Sequence, residues 1–213
     1  MPRVALIHAL VHSMAPVNDE MARHWSECQR MNLLDDSLST DLARAPAGID
    51  AAMTARFMAL ADYAVAAGAQ GLLFTCSAFG PCIDAVAHRH AGLPVLKPNQ
   101  AMIEEAVALG ECIGLVASFA PTLESMPAEF PASTRLRTAL ADGALDALNR
   151  GDVLLHDERV AAAAQRLVQQ GCGVIALTQF SMARAHTLVV QRCAVPVLTT
   201  VASAVAAMRL RLR

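Results

Sequence analysis

The cysteine placed to react is Cys76. It follows the apolar run Gly71-Leu-Leu-Phe-Thr75 and precedes Ser77-Ala-Phe-Gly80, with a helix expected from Pro81. Backbone amides in such a loop, beside a helix N-terminus, stabilise an anion and favour a thiolate. The same loop, through Thr75, Ser77 and Ala78, could cradle a carboxylate. Position alone also leaves open a blander role, a small hydrophobe buried at a tight turn. The remaining cysteines, at 28, 82, 112, 172 and 193, form no CxxC pair and accompany no histidine at zinc spacing. They read as core residues, and no metal site is expected. His8 ends the first apolar run and is a candidate substrate-binding residue, and the candidate base if the thiol acts as a nucleophile. Its alternative is a strand-end histidine held by backbone. Arg135, Arg137 and Arg184 could each meet an acidic substrate, although an exposed helix arginine is the ordinary reading. His186 reads as helix packing.

The elements that must position these residues alternate between strand and helix. Val4 to Leu10 reads as a buried parallel strand, residues 49–67 as a helix stopped by Gly68, and Gly71 to Thr75 as a strand. A helix over 81–91, a short strand Pro94-Val-Leu96 and a helix capped by Asn99 follow. Cys112 to Ala117 is the next strand. Residues 121–150 mix turn and helix formers, Asp152-Val-Leu-Leu155 reads as a strand, and a helix is expected from Asp157 to Gln170. Gly173 to Thr178, a helix over 182–192, Pro196-Val-Leu198 and a terminal helix complete the chain. Residues 11–48 have poor periodicity and read as a loop and short helix over the site, a candidate lid. Alternation of this kind implies parallel sheets with crossovers.

The chain also repeats itself. The run from Gly68 to Thr75 overlays Gly171 to Thr178 at an offset of 103, with both glycines and both threonines coincident. Pro94-Val-Leu96 matches Pro196-Val-Leu198 at an offset of 102, and Val4–Ala9 resembles Ile113–Ser118 at 109. The expected architecture is therefore α/β, with two pseudo-symmetric lobes, each a parallel sheet flanked by helices. The first lobe spans 1–98, joined by the C-terminal helix 200–213, and the second spans 99–199. Ligands in open parallel sheets bind beyond the carboxyl ends of the strands, which places the site in the cleft between the lobes. Ser118, Phe119 and Thr122 follow one strand end and are candidate substrate-binding residues. Thr178, Gln179 and Ser181 mirror the Cys76 loop and are expected to line the pocket.

Of the 213 residues, 55% are hydrophobic and 17% charged, so little charge is available to cover a monomer, and a homo-oligomer is expected. A net charge of −2 leaves no basic footprint for nucleic acid or an anionic membrane surface. No apolar run is long enough to span a membrane, and Met1 to Leu10 lacks the layout of a signal peptide, so a cytoplasmic location is expected.

The segment Leu72-Leu-Phe-Thr-Cys-Ser-Ala-Phe-Gly80 resembles the first-half cysteine motif of the Asp/Glu/hydantoin racemase-like superfamily. That group includes aspartate, glutamate and hydantoin racemases, maleate isomerases and arylmalonate decarboxylases. Ile113-Gly-Leu-Val-Ala-Ser-Phe-Ala-Pro-Thr122 resembles the strand that opens its second lobe, and Val174-Ile-Ala-Leu-Thr-Gln-Phe-Ser-Met182 its second-half motif. The likeness runs in order along nearly the whole chain. It implies an isomerase that works without metal or pyridoxal phosphate on a small carboxylate-bearing substrate, with Cys76 catalytic. Racemases of that group set one cysteine per lobe on opposite faces of the α-carbon. Here the second cysteine position falls on Gln179, both by the motif and by the repeat. An amide neither donates nor accepts a proton near neutral pH, so a symmetric two-thiol racemase is not expected. A one-thiol decarboxylase of malonate-type acids, a lyase, is the alternative chemistry, and a non-catalytic carboxylate binder on the same scaffold is a third reading.

Overall fold

Short apolar runs buried on both faces build two parallel sheets in the computed structural model, which describes residues 1–213. The chain divides into two units, Met1–Pro98 with Ala204–Arg213, and Asn99–Ser203.

The first unit runs β1 (Arg3–His8), α1 (Met14–His24), β2 (Gln29–Leu34), α2 (Ser37–Arg44), α3 (Ala51–Ala66), β3 (Gly71–Phe74), α4 (Gly80–Arg89) and β4 (Val95–Leu96). Its strands lie in the order β2-β1-β3-β4, all parallel, with Val4 opposite Gly71 and Leu73 opposite Leu96. Asp50 starts α3 by accepting from the Met53 amide. Phe57 of α3 stacks on Phe74 of β3, with ring centroids 5.6 Å apart, and meets Phe79 at 4.8 Å. This aromatic cluster pins both ends of the Cys76 loop. Residues 11–48 hold more regular structure than the loop and short helix expected of them. Gln29–Leu34 is a strand paired along its length with β1, and two helices flank it. It escaped detection because its residues are exposed or only partly buried, so no apolar run marks it.

The second unit runs α5 (Gln100–Ala108), β5 (Ile113–Ala117), α6 (Ala120–Ser125), β6 (Leu136–Leu140), α7 (Ala144–Asn149), α8 (Val153–Gln169), β7 (Val174–Leu177), α9 (His186–Arg192) and β8 (Val197–Thr199). The order is β6-β5-β7-β8, the same arrangement as in the first sheet. A final helix, α10 (Thr200–Arg211), carries the chain from this unit back to the first. One face of the second sheet packs Ile113, Leu115 and Ala176 against Met102, Ile103 and Ala106 of α5. The other packs Val116, Ile175 and Leu177 against Val160, Ala164 and Leu167 of α8. Gly114 lets α8 come this close, since a β-carbon there would stand 3.0 Å from Leu167 Cβ.

Three expectations are corrected in this unit. Asp152–Leu155 is not a strand: Asp152 accepts from the Leu155 amide and caps α8, so the helix begins at Val153 rather than Asp157. The strand that pairs there is β6, within residues expected to hold only turns and helix. Asn99 precedes α5 but makes no side-chain cap bond. No helix in the chain is long and apolar enough to cross a membrane.

Candidate active site

At the carboxyl edge of the first sheet, pairing continues one residue past β3. The Thr75 amide donates to the Ile7 carbonyl at 3.0 Å. Cys76 keeps an extended backbone (φ −122°, ψ 120°), and the chain then tightens into a 3-10 turn, Ser77–Phe79, that leads into α4. Thr75, Ser77, Ala78 and Phe79 are all buried, whereas Cys76 is partly exposed. Cys76 is therefore the one residue from Thr75 to Phe79 that its neighbours do not fully cover. Burial pushes the Cys76 thiol up to about 11, against the opposing pull of the Ala78 amide and the Ser39 hydroxyl. This reverses the expected lowering. The loop supplies one amide to the sulfur, and desolvation of a thiolate outweighs it. Ser39, on α2, is held in place by donating its hydroxyl to the Ala9 carbonyl at 2.8 Å.

His8, fully buried at the end of β1, bonds to side chains rather than to backbone. Its Nδ1 lies 2.9 Å from Thr75 Oγ1 and its Nε2 3.0 Å from Asn32 Oδ1. Burial lowers its pKa to about 4, with Asn32 opposing, so the ring is neutral at physiological pH. One tautomer satisfies the network: Thr75 donates to Nδ1, and Nε2–H donates to Asn32 Oδ1, which also accepts from Asn18 Nδ2 at 2.9 Å. Both ring nitrogens are thereby engaged away from the thiol. His8 steadies Thr75, the residue before Cys76.

The carboxyl edge of the second sheet repeats the construction. Thr178 donates to the Val116 carbonyl through its amide at 3.1 Å and its hydroxyl at 2.8 Å. Gln179 has nearly the backbone of Cys76 (φ −132°, ψ 142°) and enters a 3-10 turn, Phe180–Ala185. It too is partly exposed between buried neighbours, Thr178, Phe180 and Ser181. Its Oε1 accepts from the Ser118 amide at 2.5 Å and the Ser118 hydroxyl at 3.1 Å. With the carbonyl end held twice, the carboxamide is oriented and offers its Nε2–H groups as donors. Thr122 is buried, and its amide bonds to the carbonyl of the partly exposed Phe119 at 3.1 Å. The Ser181 hydroxyl is buried without a partner.

The structure thus groups His8, Thr75, Cys76, Ser77 and Ala78 at one sheet edge, and Ser118, Phe119, Thr122, Thr178, Gln179 and Ser181 at the other. Sequence reasoning missed Asn32 and Ser39. Alternation in Arg30-Met-Asn-Leu-Leu34 was the available signal for the strand that carries Asn32. Arg184 is taken up by Asp157 at 3.0 Å, and His186 by the Val197 carbonyl at 3.2 Å. No group of three or more His, Cys, Asp or Glu side chains is arranged to hold a metal ion.

Residues 13–208 match the family model described as Asp/Glu/Hydantoin racemase. No curated protein matches the chain. Among solved structures, the chain is similar to the aspartate racemase of Picrophilus torridus, with a TM-score of 0.76 at 8% identity, covering 99% of this chain and 94% of that one. It is similar to the allantoin racemase of Klebsiella pneumoniae, with a TM-score of 0.72 at 16% identity, covering 100% and 88%. It is also similar to unliganded arylmalonate decarboxylase, with a TM-score of 0.65 at 15% identity, covering 100% and 93%. At these identities the resemblance is one of fold.

Proposed function

Because the chain belongs to the Asp/Glu/hydantoin racemase family, we propose that it is a cofactor-independent enzyme acting at the α-carbon of a small carboxylate-bearing substrate, with Cys76 as its single catalytic thiol. The observation that carries this reading is the Cys76 loop. It sets a partly exposed cysteine at a strand end, with one amide and one hydroxyl beside its sulfur. Thr75, Ser77 and Ala78 steady that loop. Thr178, Gln179 and Ser181, which mirror the Cys76 loop, and Ser118, Phe119 and Thr122, which follow the β5 strand end, line the substrate site in this reading, and His8 acts on it through Thr75.

An isomerase is the reading that family membership favours. Racemisation, however, takes a proton from one face of the carbon and returns one to the other, and Gln179 can do neither. Decarboxylation of a malonate-type acid needs a single donor. Carbon dioxide leaves, the electron pair of the broken C–C bond passes into an enediolate, and Cys76 Sγ–H gives its proton to the carbon. The thiolate then recovers a proton from water. A thiol that burial keeps protonated suits this second reading.

Proton NMR in deuterium oxide separates the possibilities, using amino acids, hydantoins and substituted malonates with wild type and Cys76→Ala. We expect turnover by wild type and none by Cys76→Ala, with ligand binding retained by the variant. Deuterium entering one enantiomer with loss of carbon dioxide identifies the decarboxylase, and α-proton exchange with racemisation identifies the isomerase. Equal turnover by Cys76→Ala sinks the assignment of the thiol. Binding without turnover by either protein leaves a carboxylate-binding protein.

A further inference from the structure

We propose that Cys112 and Cys172 are an oxidative modification site, forming a reversible disulfide on meeting a hydroperoxide or a low-molecular-weight disulfide. Their Sγ atoms lie 3.8 Å apart at the amino edge of the second sheet. Cys112 stands immediately before β5, and Cys172 two residues before β7, on strands that pair side by side. A disulfide requires an S–S separation of about 2.05 Å, so the sulfurs must close by roughly 1.8 Å, within reach of side-chain rotation.

The backbone keeps the two thiols together. The Gly173 amide donates to the Cys112 carbonyl at 2.9 Å, and the Cys172 amide donates to Leu167 at 3.1 Å. The two segments approach so closely that a β-carbon on Gly173 would stand 2.9 Å from Glu111 Cβ. Each cysteine also follows a helix ended by a glycine in the left-handed region, Gly110 at φ +69° and Gly171 at φ +87°. Both thiols therefore sit on turns outside the regular elements. Their surroundings differ: Cys112 is partly exposed and Cys172 is buried.

The exposed member meets the oxidant. The thiolate of Cys112 attacks a peroxide oxygen, the O–O bond breaks, and the released alkoxide or hydroxide takes a proton; Cys112 is left as a sulfenic acid. The Cys172 sulfur then attacks Cys112 Sγ. The S–S bond forms, the S–O bond breaks, and the departing hydroxide takes the Cys172 proton to become water. Two thiols lose two electrons and one hydroperoxide gains them. With a small disulfide as oxidant, the mixed disulfide at Cys112 is resolved by Cys172 in the same way, releasing the second small thiol. Burial holds the Cys172 thiol up at about 11, while the Arg137 guanidinium pulls it back. Cys172 is thus a protonated thiol near neutral pH and gives up its proton as it attacks.

Trypsin places the two cysteines on separate peptides, residues 90–135 and 167–184, each containing no other cysteine. Reduced full-length protein is treated with a small excess of hydrogen peroxide, quenched in acid, unfolded, alkylated and mapped without reduction. We expect these two peptides joined, two hydrogens lighter than their sum, and separated again by dithiothreitol. The link should disappear in Cys112→Ser and in Cys172→Ala but persist in Cys76→Ala, which makes its outcome independent of the proposed catalytic role. Six alkylated thiols after treatment, a link from Cys172 to any other cysteine, or Cys112 advancing to a sulfinic acid without a link would each overturn the proposal.

Discussion

Cys76 and Gln179 occupy matched places in the two sheets, with backbone angles within about 20° of each other and the same partial exposure. One carries an acid, the other a carboxamide whose oxygen Ser118 holds through two bonds. If the missing second acid/base is all that separates this site from a two-thiol one, Gln179→Cys should gain α-proton exchange from both enantiomers of a substrate that wild type treats on one face. Chiral chromatography of the products, with deuterium incorporation, reads this directly. No gain in a folded variant would mean that the surrounding pocket, and not one residue, decides the outcome. Both positions were legible in the sequence because each ends an apolar run at a repeated glycine and threonine. The electrostatics were not: the pull of one loop amide and the cost of burial oppose each other, and only the folded chain fixes which prevails. Asn32 escaped because its edge strand shows only a short polar and apolar alternation and no buried run, and Ser39 because a lone polar residue on a short helix leaves no periodic trace.

At the scale of elements, the repeat carried most of what could be read. Gly68 and Gly171, overlaid by sequence alone, adopt φ +86° and φ +87° at the ends of α3 and α8. The equivalence therefore extends to helix termination, where a left-handed residue closes the last turn. Gly171→Ala tests this without a packing effect, because nothing lies within 4 Å of the β-carbon it would add. Its cost should be backbone strain alone, about 1 kcal/mol in the urea unfolding midpoint. Gly114→Ala should cost more, roughly 1–3 kcal/mol, because its β-carbon would press on Leu167 and Ile175 at 2.9 to 3.0 Å. Equal losses from the two variants would refute this division into strain and packing. The elements missed in the sequence, β2 and β6, are both sheet edges whose residues are exposed or only partly buried, so neither shows the buried run that marked β1, β3, β5 and β7. Asp152-Val-Leu-Leu failed for the opposite reason. Its apolar residues open a helix, and the capping aspartate outweighed a short hydrophobic run.

For the whole molecule, the groups buried to build the sheet edges set the pH range in which the chain is stable. His8 titrates near 4 when folded against an ordinary 6.5. A depressed histidine favours the folded state wherever its ring is neutral in both states. That contribution is complete above about pH 6.5 and is lost as pH falls from there toward 4, at about 1.4 kcal/mol per pH unit and roughly 3 kcal/mol in all. Cys28, Cys76 and Cys172 behave in the opposite sense, each raised by burial from 9.0 to about 11. Their contributions are complete below pH 9 and are lost as pH rises toward 11, when the unfolded chain ionises first. Asp35, held low by Ser37 and Arg56 against the pull of burial, adds a separate loss only below its ordinary 3.8. The urea midpoint should therefore show a plateau from about pH 6.5 to 9, with an acid arm governed by His8 and an alkaline arm by the thiols. His8→Gln should lower the plateau, since it breaks the Thr75–His8–Asn32 network, yet flatten the acid arm between pH 6.5 and 4. An acid arm as steep in His8→Gln as in wild type would show that other groups carry it, and that the imidazole before the Cys76 loop is not held neutral by the fold.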